Sequence, residues 1–344
     1  MKILYAVQAT GNGHISRAHQ LFPYLSEIGE VDILLSGSNA TLKMDIPVKY
    51  QAKGVSLFYS ECGGLDYLKT FKAFNYARIK KEAQDLPVEK YDLIINDFDH
   101  ITARACKSKK VPSIQFGHQG SFMSKYTPRP NQKNFVGEWI LKHYAPATHY
   151  VGLHFERYEQ FIFPAVIKDS FMNANPSDHG HITVYLPFYD KVCLETIFRQ
   201  IAPIEIHWFI QGIHEPHTDG NIHYFPVHQK HFNESLIHCH GLLTGGGFET
   251  PAEALYLGKK LLTIPIKGQY EQACNAAALE KMGVLKMNEL NHKTKESFFS
   301  WLKSNHSSPM IVANDIKETL DYILNLPLNF EQRSFTDESL ISVK

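Results

Sequence analysis

Ten short apolar runs, each four to seven residues long, recur along this 344-residue chain and alternate with longer amphipathic stretches. In the first half they fall at residues 3–7, 31–36, 91–96, 112–117 and 148–153; in the second, at 182–186, 204–210, 221–225, 241–244 and 260–264. A run of this length reads as a strand buried on both faces, and strands joined through helices lie parallel because each crossover returns the chain in the same direction. The rhythm predicts an α/β chain built from two Rossmann-like, doubly wound parallel sheets with a cleft between them. Length agrees, since 344 residues exceed one ordinary core and suit two domains of about 150 to 170 residues. Asn173, Asn175, Pro176, Ser177, Asp178 and Gly180 give the junction its loop chemistry. The expected division is a first domain over 1–165, a linker over 166–180, a second domain over 181–327 and a polar tail over 328–344.

Open α/β sheets bind ligands beyond the carboxyl ends of their strands, so the loops after Val7, Asn96, Gly117, Phe225 and Thr244 are expected to share one cleft. The richest of them follows Thr244. Gly245, Gly246 and Gly247 lead to a helix opening on Thr250-Pro251-Ala252-Glu253, which sets bare backbone amides at the positive end of a helix, a place that attracts phosphate. Thr250 and Glu253 also spell a capping box, in which the Glu side chain merely satisfies the helix's own amide. Three glycines exceed what a helix start needs and suit close approach of backbone to a ligand. A polar cluster, Gln269-Tyr270-Glu271-Gln272, then opens the next helix and suits hydroxyl groups held beside that phosphate.

Taken together, Gly246-Gly247, Thr250, Glu253-Ala254-Leu255, Gly258, Pro265, Gln269, Glu271-Gln272 and Asn275-Ala276 resemble the donor-binding half of inverting GT-B glycosyltransferases, in particular the branch of MurG-like and UDP-glucuronosyltransferase-like enzymes. The resemblance implies that Gly246, Gly247 and Thr250 receive the diphosphate of a nucleotide sugar, that Glu253 binds the ribose, and that Glu271 and Gln272 bind sugar hydroxyls. Asn275 adds to the sugar or diphosphate contacts. The loop 226–231 holds the base, through backbone groups of Val227. Plant-type relatives carry a phosphate-binding His where this chain has Gly245, so phosphate binding here rests on amides and hydroxyls.

Strand 3–7 leads into Gly11-Asn12-Gly13-His14, an acceptor or phosphate loop that superficially matches a dinucleotide fingerprint. Ser16 stands at the third glycine position and no acid closes the following strand, so the NAD reading fails. What remains is a glycine turn presenting His14 at a helix start, where the helix dipole is expected to keep the ring neutral and able to accept a proton. The bland alternative is that His14 caps the helix. Pro23 interrupts the same helical pattern and is expected to kink or end it. In related glycosyltransferases an acid orients the base, which implies Asp97, with Asp99 as fallback; one of the two is also expected to cap the helix that follows. His118 and Gln119 lie at a strand end facing the cleft, as acceptor contacts or as structural residues.

Transfer to a hydroxyl by single displacement needs a base on the acceptor and charge stabilisation on the departing diphosphate, but neither a covalent intermediate nor a metal. The DxD-like run 97–99 ends a strand in the half opposite the donor loop, so no metal ligand and no cofactor beyond the donor is expected. The reading is therefore transfer of a hexose or N-acetylhexosamine, UDP-linked, to a hydroxyl acceptor with inversion. Two alternatives remain: a UDP-sugar 2-epimerase-like isomerase, for which no acid/base carboxylate set stands out, and a non-catalytic sugar-nucleotide-binding protein.

Composition narrows the partners. Lys plus Arg and Asp plus Glu both number 35, so nothing global favours nucleic acid. Five cysteines with no CxxC spacing fit reduced thiols in a cytoplasm. No window reaches the roughly 18 to 20 apolar residues of a membrane span. Residues 67–83 read as a basic amphipathic helix, which either lies on anionic lipid at the inner face of a membrane, with a lipid-linked acceptor, or packs its aromatics on the sheet.

Overall fold

The computed structural model of the chain describes residues 1–37, 42, 44–54, 75–187, 189–304 and 308–328. Most of the polar tail, and the part of the amphipathic stretch before residue 75, lie outside the described residues.

The first sheet contains β1 (Lys2–Gln8), β2 (Glu30–Ser36), β3 (Val48–Ala52), β4 (Leu93–Asp97), β5 (Ile114–Gly117), β6 (His149–His154) and β7 (Ile162–Pro164), in the order β3-β2-β1-β4-β5-β6-β7. All its pairings are parallel. The second contains β8 (Ile182–Tyr185), β9 (Ile206–Ile210), β10 (His217–Asp219), β11 (Ile222–Pro226), β12 (Gly241–Thr244), β13 (Lys260–Thr263) and β14 (Leu285–Lys286), in the order β10-β11-β9-β8-β12-β13-β14. Only the β10–β11 pair is antiparallel. Strand order reverses between β1 and β4 and again between β8 and β12, which creates the two switch points where α/β sheets open a crevice.

Both faces of each sheet are covered, as the continuous apolar runs require. Along β1, Ile3, Tyr5 and Val7 face Ala18, Leu21 and Leu25 of the helix Asn12–Ile28, while Leu4 and Ala6 face Ile79, Ala83 and Ile101. In the second sheet Leu242 and Leu261 meet Ala252, Leu255 and Leu279; Leu243 and Leu262 meet Leu194, Phe198, Phe298 and Trp301 on the other side. Burying each of the leucine, isoleucine, valine and phenylalanine side chains among them contributes about 1.5–3 kcal/mol. The first of these clusters runs without a break from one sheet to the other.

Pro23 neither ends nor breaks its helix, which continues to Ile28. The residue lies on the exposed face, where loss of one hydrogen bond is tolerated next to water. The helix Ile316–Leu324 follows the second sheet in sequence but packs on the first unit: Asn314 Nδ2 donates to Pro164 O at 2.9 Å, Arg157 Nη2 donates to Glu318 Oε1 at 2.8 Å, and Tyr322 meets Phe163 with ring centroids 5.2 Å apart.

Candidate functional site

The cleft at the two switch points is half open to solvent and holds a cavity of about 130 Å³. Its walls combine Asn12, Gly13 and Ser16 from the turn and helix after β1 with Tyr185, Val227, His228, Phe232, Glu249, Thr250 and Glu253 from the second unit. Sequence reasoning thus placed Asn12, Gly13, Val227, Thr250 and Glu253 on one cleft, and the structure brings them together there.

His14 sits in the first turn of the helix Asn12–Ile28, with Gly11 at the N-cap making no side-chain cap. His14 is not the cap either. Its Nδ1 lies 2.9 Å from Asp97 Oδ1 at the end of β4, and its side chain is largely buried. Asp97 also receives Arg17 in a fork, from Nε at 3.0 Å and Nη2 at 2.8 Å. Burial works against a charged Asp97, yet Arg17 and then His14 outweigh it and hold the carboxyl down at about 2. Arg17 Nη2 also lies 3.0 Å from His14 Nδ1, but it already donates to Asp97 Oδ1, and an ionised carboxylate and a bare ring nitrogen, both acceptors, would repel at 2.9 Å, so we assign the proton between His14 and Asp97 to the imidazole Nδ1. That assignment leaves the Nε2 lone pair of the neutral ring to accept a proton.

The expected neutralising effect of the helix dipole on His14 is corrected by this contact. Burial lowers the pKa of His14, but the charge and hydrogen bond of Asp97 overcome it and the pKa ends above the ordinary value of 6.5. Asp99 does not share the role: its carboxylate caps the next helix by accepting from Thr102 N at 2.7 Å. The two carboxylates are separated by a tight turn in which Phe98 adopts φ 59°, an uncommon conformation for a non-glycine residue, closed by Asn96 through Asp99 N at 2.6 Å.

Sequence reasoning missed Arg17, Glu249 and Lys168. Arg17 Nη1 donates to Glu249 Oε1 and so ties the His14–Asp97 pair to the glycine-loop helix of the other unit. Its spacing of three from His14, on one helix face, was the available signal. Glu249 lies against Gly13, where an added Cβ would meet its Oε2 at 2.4 Å, so a larger residue before His14 would push the Glu249 side chain aside. Lys168 Nζ lies 2.8 Å from Glu253 Oε1, with both groups largely buried. Burial raises the pKa of Glu253, Lys168 opposes this, and the net shift is upward.

The capping box does not form. The helix Glu249–Tyr256 starts one residue before Thr250, its N-cap is Phe248 with no side-chain cap, and Glu253 pairs with Lys168 instead. Gly11, His14, Asp97, Gly246, Gly247, Glu271, Gln272, Asn275, His118 and Gln119 are not walls of the cleft, although His14 follows the wall residue Gly13. Most of them form a layer behind it. Gln272 Oε1 accepts from Gly246 N at 3.2 Å and from Ile266 N at 3.0 Å. The Gly246 amide expected to face phosphate is therefore engaged in the loop's own support. Asn275 is fully buried, donating from Nδ2 to Gly246 O at 2.9 Å, while its Oδ1 lies 2.7 Å from His118 Nε2. It braces the loop where a direct ligand contact was expected.

His118 stacks flat on Phe248 at 4.0 Å, with its Nδ1 3.0 Å from Leu153 O. Two acceptors favour a charged ring; burial disfavours it more strongly and pushes the pKa down. Gln119 Nε2 donates to Glu271 Oε2 at 3.1 Å. Both residues therefore join the units. Among the described residues no group of three or more His, Cys, Asp or Glu could hold a metal ion, and no helix is long and apolar enough to cross a membrane.

A family model described as glycosyl transferase family 1 matches residues 1–303. No curated protein matches the sequence. Solved structures that share the fold include MurG of Acinetobacter baumannii, at 12% identity with a TM-score of 0.56, covering 94% of this chain and 99% of that one. UGT89C1 of Arabidopsis thaliana complexed with UDP is similar at 12% identity and a TM-score of 0.53, covering 94% and 93%. The glycosyltransferase SnogD from Streptomyces nogalater aligns at 13% identity with a TM-score of 0.52, over 94% and 99%.

Proposed function

The chain belongs to glycosyl transferase family 1, and on that premise we propose that it moves a hexose or N-acetylhexosamine from a UDP-linked donor to a hydroxyl acceptor, with inversion and without a metal. The observation that carries this reading is that His14, backed by Asp97, stands beside the cleft that Thr250, Glu253 and Val227 wall from the opposite sheet.

In the proposed step, His14 Nε2 takes the proton of the acceptor hydroxyl as its oxygen bonds to the anomeric carbon. The bond from that carbon to the diphosphate oxygen breaks, and the nucleoside diphosphate leaves with the electron pair. Asp97 holds the ring in the required tautomer and stabilises the imidazolium that forms. In this reading the start of the helix Glu249–Tyr256 meets the developing phosphate charge with Thr250 and the Gly247 backbone, while Gly246 supports the loop. Glu253 retains acceptor capacity for ribose hydroxyls beyond its bond to Lys168. Val227 and its loop receive the base. Glu271 and Gln272 set the sugar position from behind, and Asn275 acts through Gly246 and His118. The first unit supplies the acceptor side. We assign the acceptor as a lipid-linked precursor of a cell-envelope glycan, met at the cytoplasmic face of a membrane.

Calorimetry with UDP, TDP, GDP and NAD, without added metal, tests the donor assignment before any acceptor is known. Selective UDP binding is expected. Binding of NAD alone, or of no nucleotide, would sink it.

A further inference from the structure

Strand β8 holds in the second sheet the place that β1 holds in the first, each at the switch point where strand order reverses. The turns that follow them are unlike. After β1 come Gly11 and Gly13, whereas residues 185–190 contain no glycine and open on Tyr185, the last residue of β8. A glycine turn lets backbone amides come close against a phosphate. After β8 a bulky phenol stands in that place.

Tyr185 is a wall of the cleft. It pairs in register with Thr244, the residue before the glycine loop, and its carbonyl accepts from Thr244 Oγ1 at 3.1 Å. Thr183, two residues back on the same face, meets Ser235 Oγ at 2.7 Å. Tyr185 is likewise turned toward the helix Gln229–His238, where its ring lies edge-on to Phe232 with centroids 5.8 Å apart. The ring shares the cleft with the starts of that helix and of Glu249–Tyr256, neither of which carries a side-chain cap. Among the described residues the Tyr185 hydroxyl has no hydrogen-bond partner. Burial alone acts on its pKa and pushes it up, so the phenol keeps its proton and can donate. The stronger donors nearby are engaged: Lys168 with Glu253 at 2.8 Å, Arg17 with Asp97 and Glu249, and Gly246 N with Gln272 at 3.2 Å. A diphosphate entering this cleft therefore meets neutral donors first.

We propose that Tyr185 is a further donor-binding residue, whose hydroxyl donates to a phosphate oxygen of the nucleoside diphosphate and supplies from a side chain what the glycine-free turn after β8 cannot supply from amides. As the sugar is transferred, the same bond meets the charge that builds on the departing diphosphate. This rests on the UDP-linked donor reading but not on the identity of the acceptor.

Tyr185→Phe in the full-length protein provides the test. It removes one oxygen that bonds nothing among the described residues, so thermal unfolding should match the parent. By calorimetry without added metal, UDP affinity should fall about ten- to hundredfold, as for loss of a hydrogen bond to a charged group. Uridine carries no phosphate, and its affinity, read by ligand-observed NMR, should be the same in variant and parent. Equal losses for uridine and UDP would move Tyr185 to the nucleoside and overturn the phosphate contact. Unchanged UDP affinity would overturn any role of the hydroxyl in donor binding. Failure of the parent itself to bind UDP is a different result: it would overturn the donor reading, and this proposal with it.

Discussion

Arg17 and Glu249 form an ion pair across the two units, and the same guanidinium grips Asp97 through two bonds at 3.0 and 2.8 Å. The link connects the His14–Asp97 pair to the first residue of the helix behind the glycine loop. Removing Arg17 leaves two buried or half-buried carboxylates facing one histidine. Arg17→Gln is expected to cost about 3–5 kcal/mol of stability, the range for a buried charge losing its partner. Glu249→Gln should cost less, because Asp97 keeps its fork. In a double-mutant cycle read by urea unfolding and by kcat, the two substitutions should be clearly non-additive. Simple additivity would mean the pair does not couple the units.

The charge of Arg17 also acts on His14. Its positive charge lowers the pKa of His14 while Asp97 raises it, with burial opposing the charged ring throughout. A base must be neutral, so kcat/KM should climb with pH and level off above a value higher than the ordinary 6.5. Stability runs the other way. A raised His14 pKa contributes stability that is full below 6.5 and lost as pH rises through the folded value, whereas Asp97 contributes above the ordinary carboxylate range and loses it as pH falls toward about 2. In Arg17→Gln the rising limb of the rate profile should move to higher pH. A limb that stays in place would remove His14 as the titrating base.

His14→Ala and Glu253→Ala should separate chemistry from donor binding. The first is expected to lower turnover by roughly 10² to 10⁴ fold with UDP affinity nearly intact. The second should chiefly weaken UDP binding, and it also strands Lys168 without its carboxylate partner. Calorimetry beside single-turnover rates distinguishes them, and equal loss of UDP affinity in both variants would end the division of roles.

The buried brace behind the loop gives a stability prediction. Asn275→Ala removes the donor to Gly246 O and the acceptor facing His118 Nε2, leaving both partners in a dry interface. Each orphaned group costs about 1–3 kcal/mol. A fall in thermal midpoint with reduced UDP affinity is expected; unchanged unfolding would show that the units are not held together there.

Legibility in the sequence followed hydropathy. The ten apolar runs correspond to the strands at the centre of each sheet, because a strand covered on both faces must be apolar throughout. The edge strands escaped. β3 (VKYQA) alternates partly exposed residues, β10 (HTD) is exposed throughout, and β7 and β14 are three and two residues long. The site divided along a similar line. His14, Asp97, Thr250 and Glu253 follow strands at switch points, where topology alone predicts convergence. Arg17 and Lys168 gain their partners only through tertiary contacts across 232 and 85 positions. No local pattern encodes such a pair. Asn275 and Gln272 show the converse: their polarity suggested ligand contact, yet their geometry serves the glycine loop.

That loop offers a test in which two adjacent glycines should behave differently. A Cβ on Gly246 would meet the backbone oxygen of Gln272 at 2.5 Å, and a helix backbone cannot yield as a flexible side chain would; a Cβ on Gly247 meets nothing within 4 Å. Gly246→Ala should therefore push the loop off the helix Tyr270–Lys281, breaking the Gln272 and Asn275 contacts, and lower both the thermal midpoint and UDP affinity. Gly247→Ala should fold as the parent does, so any loss of UDP affinity in that variant reports a ligand that approaches the loop closely. If Gly247→Ala binds UDP as tightly as the parent while Gly246→Ala loses binding only in proportion to its instability, the diphosphate does not lie against this loop. Phosphate recognition would then have to be sought among the hydroxyl and ammonium groups on the cleft wall, Ser16, Tyr185, Thr250 and Lys168.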